Sequence, residues 1–361
     1  MKMVRHIMEV LQSNTKYNMK KYIPILVIFM CFSFNTITKS QALPIYSQYM
    51  FNEYLINAAY GGTYSFTPII LNHRNQWVGF GDSAPQTSSL SVHTPIGQKS
   101  ALGGLMIYDK TSPITRTQIQ MSYGYHALMN KESNLTLSMA LSGTFNMLQY
   151  VYQEGMTYSE LTNGIIDNYN QSNESSSVAD INFDLVLLHS YFDLGLSVRN
   201  LLAPEPNNTI YQDQILRTKY ILFHGTFLGV NSTEKSIGII PSFVLRKMGI
   251  FSYNSLFELD LNIKIIYKNK IWSGLSYRTH ENTISTSIGI NTSKAFFGYT
   301  YDIGTSTNLS GYHNGSHNIA IGFKVFGQNK RLIRQQNPLE LNINSKWERL
   351  RLTDMRHKSA K

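Results

Sequence analysis

Alternation with a period of two runs along almost the whole of this chain, and no other feature limits its fold as strongly. Over Leu256–Tyr267, the residues Phe257, Leu259, Leu261, Ile263, Ile265 and Tyr267 fall on one face, and Glu258, Asp260, Asn262 and Lys264 on the other. A helix would scatter those charges among the Leu and Ile; only a strand separates them. The pattern recurs where Leu135, Leu137, Met139 and Leu141 alternate with Thr136, Ser138, Ala140 and Ser142. It returns in Phe192, Leu194, Leu196 and Val198 against Asp193, Gly195, Ser197 and Arg199, and in Ile319, Ile321, Phe323 and Val325 against Asn318, Ala320, Gly322 and Lys324.

Fourteen such segments lie near residues 64–74, 86–94, 100–109, 114–129, 135–152, 178–188, 191–201, 215–230, 236–247, 255–267, 270–278, 283–291, 294–302 and 316–326. Their connections alternate in length. Short turns at Pro95–Lys99, Asn130–Asn134, His189-Ser190, Asn231–Lys235, Lys268-Asn269 and Thr292-Ser293 are interleaved with longer stretches at Asn75–Pro85, Gln153–Ser177, Leu202–Gln214 and Ile303–Gly315. Short turns at one end and long loops at the other mark an outer-membrane barrel, apolar outward and polar inward, with an even number of strands. The expected fold is therefore an all-β transmembrane antiparallel β-barrel of about fourteen strands. With an even count both termini fall on the same side, expected to be the periplasm.

A soluble β-sandwich or barrel also alternates, and here composition weighs in. Only 15% of residues are charged, against roughly 25% in a typical soluble domain. The polar face is built from Ser, Thr, Asn, Gly and Tyr with scattered charge, which suits a lumen better than a solvated surface. The formal net charge of +10 suggests nucleic acid until it is divided: residues 1–40 carry +5, residues 327–361 carry +6, and the body carries −1. A neutral body with basic ends is no footprint for DNA or RNA.

The first 40 residues read as a secretory signal, with Lys20-Lys21 ahead of the apolar run Tyr22–Phe34 and Thr38-Lys39-Ser40 before Gln41. Met19 opens such a signal by itself, which leaves open that residues 1–18 precede the true start. The lone Cys31 lies within the apolar run, behind the bulky Phe29-Met30, so lipidation is not expected; removal of the signal leaves a chain without cysteine. Residues 41–63 then form an N-terminal periplasmic or lumenal segment ahead of the barrel (64–326). Residues 327–361 form a basic tail whose Leu339, Leu341, Trp347, Leu350 and Leu352 are apolar enough to dock on a periplasmic partner, or to remain a solvated extension.

Chemistry-bearing motifs are sparse. The ten His and 22 acidic residues show no metal-ligand spacing, and no nucleophile elbow or phosphate-binding Gly loop occurs. No cofactor and no catalysis are expected. Ser316, His317 and Asp193 are the residues a barrel hydrolase would use, though lumen hydrogen bonding explains them better. Asp82-Ser83-Ala84 fits an O-glycosylation pattern, with an ordinary turn the better reading. Asp184, Asp193, Arg199, Glu258, Asp260, Lys264 and Lys324 are expected to pair inside the lumen, because buried charge must find partners. Whether that network fills the lumen or lines a channel is left open.

The start of the mature chain adds a resemblance. Gln41-Ala-Leu-Pro-Ile-Tyr-Ser-Gln-Tyr-Met-Phe-Asn52, with Ile56-Asn57 and Ala59-Tyr60-Gly61-Gly62, resembles the opening of the PorP/SprF family, outer-membrane proteins of the type IX secretion and gliding machinery of Bacteroidota. The likeness continues through Arg74-Asn75-Gln76-Trp77-Val78-Gly79-Phe80, Leu90–Pro95, Tyr267–Arg278, Gly298–Asp302 and Gly315-Ser316-His317-Asn318-Ile319. Glu53 and Ala58 stand where the family usually has prolines. The resemblance implies a non-enzymatic barrel that supports export and surface anchoring of a large adhesin-type protein. It also implies contact with type IX components on the periplasmic side and with outer-membrane lipid. The motif residues expected to matter for partners are Ser47, Gln48, Tyr49, Met50, Phe51, Asn52, Asn57, Tyr60, Arg74, Asn75, Gln76, Trp77, Gly79, Gly315, Ser316 and His317. Tyr46, Tyr49, Phe51, Tyr54 and Tyr60 would anchor the N-terminal segment in the lumen or at its periplasmic mouth, the other reading being a disordered segment. The alternative is a porin or small-solute channel.

Overall fold

The computed structural model describes residues 49–325, apart from 65, 80, 82–83, 98, 131–134, 151–173, 190–191, 204–218, 228–236, 249–255, 269, 280–281 and 305–313. The expected signal (1–40), Tyr46, Ser47 and Gln48, the Asp82-Ser83 pair, most of the Gln153–Ser177 connection and the 327–361 tail lie outside the described residues.

Fourteen strands form where alternation predicted them: β1 (Thr67–Asn75), β2 (Gln86–Ile96), β3 (Ser100–Thr111), β4 (Ile114–Asn130), β5 (Leu135–Tyr150), β6 (Glu174–Leu188), β7 (Phe192–Arg199), β8 (Tyr220–Phe227), β9 (Ile237–Met248), β10 (Leu256–Tyr267), β11 (Ile271–Arg278), β12 (Thr283–Asn291), β13 (Ala295–Gly304) and β14 (Ser316–Val325). Each pairs antiparallel with its sequence neighbours, and β1 pairs with β14 from Thr67↔Val325 to Asn75↔His317, which closes the barrel. Closure removes both sheet edges, so every strand has a partner on each side, as a hydrocarbon surrounding demands.

The register separates two surfaces. Outward residues such as Leu71, Leu90, Leu102, Met121, Leu141 and Ile288 are exposed and apolar; inward residues such as Ser91, Gln120, Ser138, Asn182, Ser197 and Thr300 are buried and polar. The boundaries differ from expectation mainly at β6, which begins at Glu174 because its first residues still pair with β5 up to Tyr150. Strands β4, β5 and β6 are 17, 16 and 15 residues long, against 8 each for β7 and β8. The extra length of β6 over β7 lies at the end away from the termini, where Glu174 faces Tyr150, and that of β4 over β3 lies at the terminus end.

An eight-stranded barrel is narrow enough for its own side chains to fill, and interiors widen roughly in proportion to strand number. Fourteen strands therefore enclose more space than Ser, Thr and Asn side chains occupy. That space holds the buried apolar core, supplied by the chain ahead of β1. Tyr49, Met50, Phe51, Ile56 and Tyr64 pack against Ile70, Leu222, Trp272 and Phe296, while Tyr54, Leu55, Ala58, Ala59 and Tyr60 pack against Leu105, Ala140, Val186 and Leu188.

Candidate functional site: a filled lumen and a rim cluster

A segment that leaves water without joining the barrel ladder must satisfy its own backbone groups. Residues 49–64 do so with two single 3-10 turns, Glu53–Leu55 and Ala58–Tyr60. The Asn57 carboxamide caps the second turn by accepting from Ala59 N–H at 2.9 Å, and Thr63 Oγ1 donates to Tyr60 O at 2.7 Å. Gly62 ends the segment with φ +69°, where a Cβ would sit 2.4 Å from that of Ala101, so only glycine fits this exit into β1.

The rest of the segment's bonds go to the wall, and they reach most of the way around it. Toward β10 and β11, the Tyr49 hydroxyl lies 3.1 Å from Asp260 Oδ2 and 3.0 Å from Asn262 Oδ1. Lys264 Nζ donates to Met50 O at 3.1 Å and sits 4.7 Å over the Phe51 ring, which itself stacks on Trp272 with centroids 3.7 Å apart. Toward β2 and β4, Asn52 Nδ2 donates to Ser91 Oγ at 2.8 Å, Gly62 N–H to His93 Nδ1 at 3.1 Å, and the Tyr54 and Ser122 hydroxyls are 2.6 Å apart. Gly103 admits that phenol: a Cβ there would lie 2.3 Å from Tyr54 Oη. Toward β5 to β8, Ser138 Oγ donates to Ala59 O, while Ser197 Oγ and Arg199 donate to Ile56 O at 3.0 and 2.8 Å. Asn57 Nδ2 donates to Leu185 O at 3.0 Å and lies 3.1 Å from His224 Nε2.

Burial pushes the Tyr54 phenol up to about 12, and burial followed by the nearby Asp260 carboxylate raises Tyr49 further above its usual range. Both hydroxyls therefore keep their protons at neutral pH. Because the docked Tyr54 has the higher value, its contribution is complete below the ordinary phenol pKa of 10.0 and is lost as pH rises through about 12. Between the segment and the β8–β10 wall a small cavity remains beside Tyr49, Glu53, Tyr60 and His224, with room for about two waters.

Asn57 carries a large share of this arrangement. Asn57→Ala removes the cap and the bonds to β6 and β8, and should weaken docking by about 2–3 kcal/mol; Tyr54→Phe, which loses one hydroxyl contact, should cost about 1 kcal/mol. Chymotrypsin cleavage within residues 49–64 of the folded protein measures both, and the expected order is Asn57→Ala fastest, then Tyr54→Phe, then wild type.

The inward charges pair, though not as the sequence alone arranges them. Arg246 bridges Glu258 at 2.7 Å and also contacts Asp260; Arg199 lies 3.3 Å from Asp184; Asp302 receives Arg74 and Arg278, each at 3.0 Å. Lys264 donates to the carbonyl of Met50 and interacts with Glu53 of the lumen segment, and Lys324 donates to the carbonyl of Thr292. Arg246, Arg278 and Asp302 were not singled out by alternation, because each is one polar residue in a segment whose partner lies on another strand.

The remaining motif residues gather at the β1–β14 seam, at the end away from the termini. Asn75 faces His317 across the ladder, and Gln76 N–H donates to Pro85 O at 2.8 Å. Trp77 N–H donates to Ser316 Oγ at 3.1 Å; Val78 N–H donates to Gly315 O at 2.9 Å and its carbonyl accepts from Asn314 N–H at 2.7 Å. Trp77, Gly79 and Gly315 have φ of 54°, 107° and 84°. A Cβ on Gly315 would meet Asp302 O at 2.7 Å, so this glycine lets the β13–β14 loop press against the seam. His317 Nδ1 lies 2.6 Å from the Tyr299 hydroxyl. The motif thus divides between two places: Tyr49 to Tyr60 inside the barrel, Arg74 to Gly79 with Gly315 to His317 at the rim.

The residues considered for hydrolysis do not assemble. Ser316 and His317 alternate onto opposite faces of β14, and Asp193 is on β7, seven strands away around a ring of fourteen. Among the described residues no group of three His, Cys, Asp or Glu gathers that would hold a metal.

The family model for "Type IX secretion system membrane protein PorP/SprF" matches residues 38–323, spanning the lumen segment, the seam and nearly all of β14. The chain belongs to the PorP/SprF family. Its family and fold are those of a secretion-system outer-membrane barrel, which is not an enzyme class. A comparison with curated proteins finds no match. Among solved structures, the CymD monoaromatic hydrocarbon channel is similar at TM-score 0.44 and 11% identity, over 80% of this chain and 95% of that one. Omp33 of Acinetobacter baumannii is similar at TM-score 0.40 and 7% identity, over 73% and 99%. The KdgM porin is similar at TM-score 0.30 and 9% identity, over 71% and 98%. The closure of this PorP/SprF barrel is read directly from its own strand pairing.

Proposed function

We propose that this PorP/SprF protein is a filled outer-membrane scaffold that holds a large exported, adhesin-type surface protein, rather than a conduit through which anything passes. The filled lumen supports this reading. Residues 49–64 are bonded to strands most of the way around the barrel, and a chain in transit would have to displace all of those contacts. The exported partner would meet the end away from the termini, where the Gln153–Ser177 and Leu202–Gln214 connections and the Trp77–His317 rim lie. Tyr- and Asn-rich loops of low charge give contact area at small entropy cost. The termini would face the periplasm, with residues 1–40 removed as a signal and the basic 327–361 tail docking on type IX components there. A link to gliding motility belongs to the same proposal. A small-solute channel would need an open lumen, and the buried segment counts against it.

Affinity isolation of the tagged protein from detergent-solubilised outer membrane, with mass spectrometry, tests the proposal. The expected result is recovery of a large surface protein together with type IX components. A clean barrel, reproducibly without partners, would overturn it.

A further inference from the structure

Apart from Lys99 in the β2–β3 turn, the exposed lysines described at the terminus end of the barrel lie on two neighbouring turns. Lys268 and Lys270 lie in the β10–β11 turn and Lys294 in the β12–β13 turn, all three exposed. The turns are tied together: Asn291 N–H donates to Lys270 O at 2.6 Å, and Lys324 N–H to Lys294 O at 2.8 Å. Lys324 Nζ also donates to Asn291 Oδ1 and Thr292 O, at 2.8 and 2.9 Å, which adds a fourth positive charge beside the same turn. Neither Tyr267–Ile271 nor Asn291–Ala295 contains an acidic residue.

Immediately beside these lysines the outer wall is apolar and in register. Tyr267 pairs with Ile271, Ile271 with Ile290, and Ile290 with Phe297, so four outward side chains form one continuous row across β10 to β13. All four are exposed, and Lys268 Nζ lies 5.2 Å over the Tyr267 ring. A basic cluster directly at the end of an apolar row matches a molecule with an anionic head and a hydrocarbon body. An acidic soluble protein would satisfy the lysines and leave the row in contact with nothing.

We propose that Lys268, Lys270 and Lys294 bind the phosphodiester head of an anionic glycerophospholipid, whose acyl chains lie along Ile271, Ile290 and Phe297. Lysine stems run along apolar surface while the ammonium reaches the headgroup level, and aromatic rings sit at the same depth. The site would hold this side of the barrel at a fixed depth in the leaflet facing the termini.

The test uses the purified full-length protein and native mass spectrometry with phosphatidylglycerol, phosphatidylcholine of the same acyl chains, and lipid A. Wild type should retain phosphatidylglycerol about tenfold better than phosphatidylcholine, since basic residues at this level attract an anionic headgroup. The triple variant Lys268→Gln/Lys270→Gln/Lys294→Gln should lose that preference. The triple Lys→Arg variant, and Lys110→Gln/Lys247→Gln at the other end of the barrel, should keep it. An unchanged preference in the Gln triple, an equal loss in the Lys110/Lys247 control, or lipid A retained above phosphatidylglycerol would each overturn the proposal. So would an acidic protein whose capture, unlike lipid retention, depends on the three lysines. A heat-modifiable gel shift shows that each variant is folded, and the Arg triple separates lost charge from lost structure.

Discussion

Excising residues 49–64 turns an electrically silent barrel into a conducting one. In planar bilayers the intact protein should give no discrete current steps, and the excised protein should give stable, ion-permeable openings. Removal of Tyr49, Phe51, Tyr54 and Tyr60 takes away the apolar filling of a lumen that fourteen strands make too wide for inward Ser, Thr and Asn side chains to close. The exposed wall, with Ser91, Ser122, Ser138, Asn182 and Ser197 facing in, is polar and wets readily. The strand ladder itself is untouched, since every strand keeps its two neighbours. A point variant gives the same answer without deletion: Phe51→Ala with Asn57→Ala removes the Trp272 stack and the bonds to β6 and β8, and should give flickering openings. If both proteins stay silent while folded, the segment is not what closes the lumen. The filled-scaffold proposal would then lose its main support.

Asp302→Asn should cost about 3–5 kcal/mol, the usual loss when one partner of a buried ion group is neutralised. Asp302 is 2% exposed and receives Arg74 from β1 and Arg278 from β11, both buried, so one carboxylate compensates two guanidinium groups across the seam where the barrel closes. Neutralising it takes a shared carboxylate away from two guanidinium groups in a site shielded from water. The urea midpoint of the vesicle-folded protein measures the loss. The companion variant Arg74→Met with Asp302→Asn should recover part of it, because one of the two cations that Asp302 serves is then removed. A loss below about 1 kcal/mol for Asp302→Asn would mean that the two arginines reach water or other acceptors.

Both outcomes bear on the role of the family motif. Its first half fills the barrel and its second half closes it, so Asn57 and Arg74 act on the same object from within and from the seam. A scaffold that presents long loops to an exported protein needs a wall that stays closed under load, and these two clusters supply that closure. The seam glycine Gly315 and the Trp77–Ser316 bond then hold the β1–β2 and β13–β14 loops together at the end proposed to face the partner.

The strands were legible in the sequence because alternation is local. Phe257, Leu259 and Leu261 against Glu258, Asp260 and Asn262 specify a two-faced strand whatever surrounds it, and all fourteen segments became strands. The low charge and alternating turn lengths sufficed to turn the apolar face outward. The family motif was legible too, and its aromatic run offered packing in the lumen or at its periplasmic mouth, but nothing in Asn52-Glu53-Tyr54-Leu55-Ile56-Asn57 decides between those places or says which strands it meets. That location depends on contacts between residues far apart in the chain. Tyr49 meets Asp260 and Asn262, Asn57 meets His224, and Arg74 meets Asp302 only once β1 has found β14. The particular partners of the lumen charges were hidden for the same reason, since Lys264 meets the Met50 carbonyl and Glu53 of a segment more than two hundred residues earlier. The sequence by itself therefore determined a polar-inside, apolar-outside barrel of fourteen strands. Only the tertiary structure decided that its lumen is filled and by which residues, because strand faces follow from neighbours along the chain, while a lumen exists only after the barrel has closed.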